Sequence, residues 1–249
     1  MIAENPLTKT NKLPSLSLFF PAYNEAGNIA RTISEAQLIA EKISNLYEII
    51  IVNDGSTDET ESIVKSLQKN NPRIRLISHE QNSGYGVSLR TGISQCQYKY
   101  IFFSDSDLQF NLTELSHFLP FISEYDVVIG YRAQRNDPVL RILNAKVWNL
   151  LIRLMFKLHI KDINCAFKLF KSEVLQPIKL DSRGAMISAE ILIKLTRKKV
   201  KLKEIPVTHK PRHSGSPTGA KLSVIYLAVK ELISLKHQNT LEKHVNNSI

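Results

Sequence analysis

SLFFPAYNEAGNIARTISEAQLIAEKISNLYEIIIVND, residues 17–54, is the stretch that decides the fold. Ser17–Phe20 is a short apolar run stopped by Pro21, and Glu48–Val52 is a second run rich in isoleucine. Between them, Asn28 to Ile43 carries Ile29, Ile33, Ala36, Ala40 and Ile43 at helical spacing. The alternation continues. Thr57 to Lys69 repeats the helical pattern with Thr60, Ile63, Val64 and Leu67. Further apolar runs at Ile74–Ser78, Tyr100–Phe103 and Asp126–Gly130 read as buried strands. Strand, helix, strand, helix predicts an α/β domain: a mainly parallel sheet flanked by helices. In such sheets ligands sit beyond the carboxyl ends of the strands, so those ends are the places to look for chemistry.

Three ends stand out. Pro21-Ala22-Tyr23-Asn24-Glu25-Ala26-Gly27-Asn28 follows the first strand, and Asn53-Asp54-Gly55-Ser56-Thr57-Asp58 follows the second. Ser104-Asp105-Ser106-Asp107-Leu108-Gln109 follows the run from Tyr100. Two carboxylates two residues apart repel each other unless a cation lies between them, and hard oxygen ligands suit Mg²⁺ or Mn²⁺. Asp54 reads as an acceptor for ligand hydroxyls or a base edge, whereas Asp58 is placed to cap the following helix. Asn82-Ser83-Gly84-Tyr85-Gly86 is a glycine-rich turn before a helix from about Val87, which can hold phosphate or merely permit positive φ. The usual dinucleotide and P-loop glycine signatures are absent.

Composition narrows the setting. The 249 residues are 43% apolar and 22% charged, which excludes a disordered or collagen-like chain. Two cysteines, Cys96 and Cys165, make no disulfide framework. Residues 1–14 lack a secretory pattern, and no uninterrupted apolar stretch reaches membrane-spanning length, which points to a cytoplasmic setting. The net charge of +10 divides unevenly. Residues 1–130 hold 10 Lys+Arg against 15 Asp+Glu, whereas residues 131–249 hold 23 against 8. The back half therefore suits an anionic partner.

The motifs FFPAYNEAGNI, IIVNDGSTDET, NSGYGVSLRTGI and FFSDSDLQF, in this order and spacing, resemble the family 2 glycosyltransferases of GT-A (Rossmann-like) fold. The resemblance covers roughly residues 15–220. It implies a nucleotide-sugar donor, built on GDP or UDP, and a divalent cation, Mg²⁺ or Mn²⁺. By that match Pro21, Ala22, Tyr23, Glu25, Asp54 and Gly84 would hold the donor. Asp105, Asp107 and Gln109 would serve the metal and diphosphate. DVVIGYR ending at Arg132, then Arg141, DINCAFKLF at 162–170 and EIPVTHKPRHSG at 204–215 resemble the polyprenyl-phosphate sugar synthases, of which the dolichyl-phosphate mannosyltransferases are an example. The subgroup implies Arg132, Arg141, Arg212 and Lys221 along the donor diphosphate and acceptor phosphate, with Arg132 beside Asp105 and Asp107 in catalysis. The expected organisation is a single 15–236 glycosyltransferase domain, with a nucleotide-sugar and metal half at 15–130 and an acceptor half at 131–236. Residues 1–14 are then an extension and 237–249 a polar tail.

Bringing a sugar diphosphate to a lipid phosphate joins two polyanions, whose repulsion at ~4 Å is on the order of several kcal/mol per charge pair in a half-buried site. Arginine forks and a metal offset it. A phosphate oxygen is already anionic, so inverting transfer to it needs no strong base. A hydroxyl acceptor on a glycan or protein, the alternative, needs one, and Glu190 is then the candidate. Two helical patterns fit a membrane surface. From Arg141 to Lys161, Lys146, Arg153, Lys157 and Lys161 fall on one stripe, with Trp148, Leu151, Met155 and Leu158 opposite. Leu222–Leu235 places Val224, Ile225, Ala228, Val229 and Leu232 on one apolar face. Arg197, Lys198, Lys199, Lys201 and Lys203 add a cluster that attracts anionic lipid. The expected partners are thus a nucleotide sugar, a polyprenyl phosphate and the cytoplasmic face of a membrane. No nucleic-acid motif is present, and the sequence identifies no obligate protein partner.

Overall fold

The computed structural model describes residues 12–133, 139–211 and 227–237, and their side chains except at 139–146. Each apolar run named above lies in a strand: β1 (Leu13–Ala22), β2 (Ser44–Asn53), β3 (Ile74–Ser78), β4 (Tyr100–Ser104) and β5 (Val127–Arg132). The intervening segments form α1 (Ile29–Ile43), α2 (Thr60–Asn70) and α3 (Tyr85–Gln95). A 3-10 turn over Leu112–Phe118 leads into the short α4 (Leu119–Ile122). The second half supplies α5 (Val139–Phe156), β6 (Phe167–Lys171), α6 (Ser172–Leu175), α7 (Ile187–Arg197) and β7 (Leu202–Val207). A last helix, α8, covers 227–237.

The seven strands lie in the order β3-β2-β1-β4-β6-β5-β7. β1 runs parallel to both β2 and β4, and β5 to β7, while β6 runs antiparallel between β4 and β5. The sheet is therefore α/β and mainly parallel, as the alternation implies. Ile49, Ile50, Ile51 and Val52 are all buried, because a central parallel strand is covered on both faces and has no polar side. α1 buries Ile29, Ile33, Ala36, Ala40 and Ile43, the stripe read from its spacing. Phenylalanines fill the middle: Phe102 and Phe118 both meet Phe167 edge-on, and Phe103 stacks on Phe170. Each fully buried ring contributes about 1.5–3 kcal/mol. β6 thus joins the two halves through a shared core.

The second half departs from the sequence reading in two helices. α5 ends at Phe156 rather than Lys161, because Lys157 takes a left-handed φ of 56°. Lys157 and Lys161 therefore leave the helical stripe, and the Lys161 ammonium sits 4.2 Å from the Tyr131 ring centre. Among the described side chains of α5, Ile152 is fully buried, whereas Val147, Leu150, Leu151 and Leu154 are exposed. The outer face of α5 is thus apolar, and Leu151 stands on it rather than in the core. In α8, Ala228, Leu232 and Leu235 are buried while Leu227, Val229 and Ile233 are exposed, so Val229 is not on the packed face. Val224 and Ile225 lie outside the described residues. Among the described residues no helix is long and apolar enough to cross a membrane.

Candidate active site

β2 lies on one side of β1 and β4 on the other, so the chain's course across the sheet reverses between β1 and β4. The loops leaving β1 and β4 diverge at that point and open a crevice. All three strand ends singled out by sequence meet there, and side chains lace them together. Asn24 Oδ1 accepts the Thr57 N–H at 2.8 Å, and Ser56 Oγ accepts the Asn24 N–H at 2.9 Å. Asn24 itself has φ 56°, a left-handed position that asparagine tolerates. The N-cap of α2 is Glu59 rather than Asp58; from one residue earlier Asp58 accepts the N–H groups of Ala26 and Thr60, both at 3.0 Å, and so ties the first loop to the start of α2. The Pro21 carbonyl accepts the Ser106 hydroxyl at 2.9 Å, joining the first loop to the acidic one. Pro21 and Ala22 are buried, Tyr23 is 40% exposed at the rim, and Glu25 is buried with its Oε2 accepting from Asn28 Nδ2 at 2.6 Å.

Asp54 has a structural duty that its sequence position did not reveal. Its Oδ1 accepts the Ser83 N–H at 2.9 Å and the His79 Nδ1–H at 2.8 Å, and its Oδ2 accepts the Gly84 N–H at 2.9 Å. The carboxylate thereby pins the glycine-rich turn to the end of β2. Gly84 has φ 101°, and a Cβ there would lie 2.8 Å from the Arg183 carbonyl oxygen, so the turn needs glycine on both counts. His79, which also meets Thr91 Oγ1 at 2.9 Å, carried no signal in the sequence.

Asp105 and Asp107 lie just past β4. Burial, and then the neighbouring Asp107 carboxylate, push Asp105 up to about 7 despite the Tyr85 hydroxyl that it accepts at 3.0 Å. Asp107 Oδ1 accepts the Gln109 N–H at 3.1 Å, and Gln109 Nε2 donates to the Lys210 carbonyl at 3.1 Å. Leu108 between them has φ 60°, a strained conformation for a branched side chain. Arg132, at the end of β5, is partly buried and bidentate to Asp162: Nε to Oδ2 at 2.7 Å and Nη2 to Oδ1 at 2.8 Å. The fully buried Lys168 donates to the carbonyls of Ile163 and Cys165, and its charge, like that of Arg132, bears on Asp105. Removal from water lowers the Lys168 pKa. Asp162 and Lys168 went unassigned in the sequence. Lys168, a charge between the phenylalanines and leucine of β6, was the available signal.

The structure therefore gathers Pro21, Ala22, Tyr23, Glu25, Asp54, Gly84, Asp105, Asp107, Gln109 and Arg132 around strand ends of one sheet. Arg141 lies in α5 with its side chain outside the described residues, as are Arg212 and Lys221 altogether. Glu190, the base considered for a hydroxyl acceptor, is not available for that task. It is fully buried, and its oxygens accept the N–H groups of Asp181 (3.0 Å) and Ser182 (2.9 Å) and the Lys194 ammonium (2.6 Å). Those donors hold its pKa below the ordinary value although burial, the largest influence, pushes it up.

The donor set at Asp105 and Asp107 fits Mg²⁺ or Mn²⁺. Its side chains offer oxygens, and Asp105, raised by burial and then by the Asp107 charge, is a carboxylate whose ionised form a nearby cation would favour. Among the described residues no cluster of three or more His, Cys, Asp or Glu makes a closed cage. A cation here would keep coordination positions for phosphate oxygens and water, as Mg²⁺ sites commonly do.

Residues 17–178 match the family model Glycosyl transferase family 2. The chain belongs to this family. Among its relatives, the dolichyl-phosphate beta-glucosyltransferase of Saccharomyces cerevisiae is 30% identical over 223 residues, which span 78% of this chain and 66% of that protein. The undecaprenyl-phosphate 4-deoxy-4-formamido-L-arabinose transferase of Salmonella choleraesuis is 27% identical over 218 residues, 86% of this chain and 65% of that protein. The chain thus spans just under two thirds of the length of both. Glucosyl-3-phosphoglycerate synthase from Mycobacterium tuberculosis, solved with Mn²⁺, uridine diphosphate and glucosyl-3-phosphoglycerate, shares the fold at a TM-score of 0.67. It is 18% identical, with 89% of this chain and 79% of that one covered.

Proposed function

We propose that this family 2 chain is an inverting glycosyltransferase that moves a sugar from a nucleotide sugar to a polyprenyl monophosphate at a membrane surface. The observation that carries the reading is the Asp105–Asp107 pair at the reversal of the sheet, with the Arg132–Asp162 fork at the end of β5, two strands away, bringing a positive charge that bears on Asp105. The relatives named as dolichyl- and undecaprenyl-phosphate sugar transferases favour a lipid phosphate as acceptor.

In this reading Pro21, Ala22, Tyr23, Glu25, Asp54 and Gly84 form the donor wall. Asp105, Asp107 and Gln109 hold Mg²⁺ or Mn²⁺, which when bound supplies positive charge to the departing diphosphate. Arg132, with Arg141, Arg212 and Lys221, receives the acceptor phosphate and the leaving diphosphate. An acceptor phosphate oxygen attacks the anomeric carbon from the face opposite the nucleotide. Its bond to carbon forms as the carbon–oxygen bond to the diphosphate breaks, and the diphosphate leaves with the electron pair. Both oxygens are anionic, so no proton needs to move. This agrees with the structural engagement of Glu190.

The donor half is residues 15–130 and the acceptor half 131–236. The exposed apolar residues of α5 and α8, flanked by Arg153, Lys157, Lys230 and Lys236, support peripheral contact with an anionic membrane face. The test supplies polyprenyl phosphate, a panel of UDP- and GDP-sugars, and Mg²⁺ or Mn²⁺. Sugar is expected on the lipid phosphate. Transfer only to glycan or protein hydroxyls overturns the reading.

A further inference from the structure

Residues 181–184 form a strap whose four successive backbone N–H groups all point at carboxylates. Asp181 and Ser182 donate to Glu190 of α7, as described above. Arg183 and Gly184 donate to Glu231 Oε1 of α8, at 2.7 and 3.2 Å. Two carbonyls of the same strap, those of Ser182 and Arg183, face α3. The Arg183 carbonyl accepts the Gly86 N–H at 2.8 Å, and Arg90 Nη1 donates to the Ser182 carbonyl at 3.0 Å. The fit is close: a Cβ on Gly86 would lie 2.4 Å from the Ser182 oxygen. One face of the Gly84–Gly86 turn is therefore fixed by Asp54 and the other by the strap.

The two clamps differ in kind. Glu190 sits on a fully packed helix with a lysine beside it. Glu231 sits on α8, whose packed side is limited to Ala228, Leu232 and Leu235 and whose other side exposes Leu227, Val229 and Ile233. Nothing else in the strap's hydrogen bonding explains why a carboxylate of α8 should receive two backbone donors so far along the chain from them. We infer that Glu231 is a positioning residue for the donor site: acting through the 181–184 strap, it holds the Gly84–Gly86 turn in the shape that receives the nucleotide diphosphate. The inference rests on the donor-site reading given above. Two charge-assisted hydrogen bonds are at stake, which is enough to change the population of the ordered turn measurably. Their loss is expected to act on donor binding first, because the strap touches the turn directly and reaches the Asp105–Asp107 pair only through the Tyr85 hydroxyl that Asp105 accepts.

The experiment compares wild type, Glu231→Ala and Glu231→Gln in the full chain. It measures the donor KM and kcat, the affinity for UDP or GDP with Mn²⁺, and hydrogen exchange of the Gly86 amide. Glu231→Ala is expected to raise the donor KM and the nucleotide Kd about tenfold, with kcat within about twofold, and to speed Gly86 exchange by a similar factor. Glu231→Gln keeps an acceptor oxygen and is expected to return donor KM and exchange to near wild type. A Glu231→Ala variant that melts earlier but keeps donor KM and Gly86 exchange unchanged overturns the inference, because Glu231 is then only a support for α8. If wild type binds neither nucleotide, the donor-site reading fails instead. The exchange measurement still decides whether Glu231 governs the turn.

Discussion

Asp107 and Glu190 show how differently two buried carboxylates are used. Asp107 lies two residues from Asp105, whose pKa is raised by burial first and by the Asp107 charge second. Asp107→Asn removes that charge while keeping a side-chain oxygen for the Gln109 N–H. It is expected to abolish metal-dependent transfer and to weaken Mn²⁺ binding, read by electron paramagnetic resonance, with an unchanged circular dichroism spectrum. Near-wild-type turnover would remove the pair from the metal site. Glu190 is compensated by backbone donors and Lys194 instead. Its folded pKa lies below the ordinary 4.5, so its stabilising share is complete above that pH and is lost as the pH falls through the folded value. Glu190→Gln is expected to cost about 1–3 kcal/mol at neutral pH and to flatten the loss of stability below pH 4.5, measured by urea unfolding across pH. An unchanged pH profile would assign the acid sensitivity elsewhere.

At the scale of elements, close approach decides where the helices sit. A Cβ on Gly92 of α3 would fall 2.3 Å from the Phe19 ring of β1, so this helix lies against the sheet at a distance that only glycine permits. Gly92→Ala is expected to destabilise the protein by about 1–3 kcal/mol through overpacking, seen as a lower melting temperature with turnover per folded molecule retained. The ring cannot give way easily, because Phe19 itself packs on Phe103 at a centroid distance of 5.3 Å. α5 presents the opposite case, a helix with more apolar surface than its packing consumes. Leu154 is 70% and Leu150 52% exposed while Ile152, between them in sequence, is fully buried.

The whole molecule divides its charge along its length. Front-half carboxylates such as Asp54 and Asp105 lie at the strand ends that border the crevice, and the basic excess lies beyond residue 130. Combined with the exposed residues of α5, this predicts binding to anionic vesicles that weakens as salt rises, since each basic residue near the surface contributes about 1 kcal/mol and is screened within a Debye length. Co-sedimentation with phosphatidylserine vesicles is expected to fall between low and physiological salt. Leu154→Glu is expected to reduce the binding severalfold further at each salt concentration. Salt-insensitive binding, or a Leu154→Glu variant that binds as wild type, would mean that this face does not meet lipid.

The sequence by itself determined the alternation of strands and helices, the parallel first half and the three strand ends that form the crevice. These rest on local periodicity and on turn residues such as Gly55 and Gly84, whose backbone preferences act within a few positions. It also carried the family motifs. Tertiary structure decided what local pattern does not encode. β6, placed antiparallel between β4 and β5, gains its identity from Phe167 and Phe170 packing on strands about 65 residues earlier. Asp54 was legible as a strand-end acceptor, but its grip on Ser83 and Gly84 depends on a turn about 30 residues away. The same holds for the Arg132–Asp162 fork, for buried Glu190 and for Glu231 reaching back to Arg183. Polar groups withdrawn from water must find partners wherever the fold brings them, and such partnerships across long stretches of chain leave no periodic trace in the sequence.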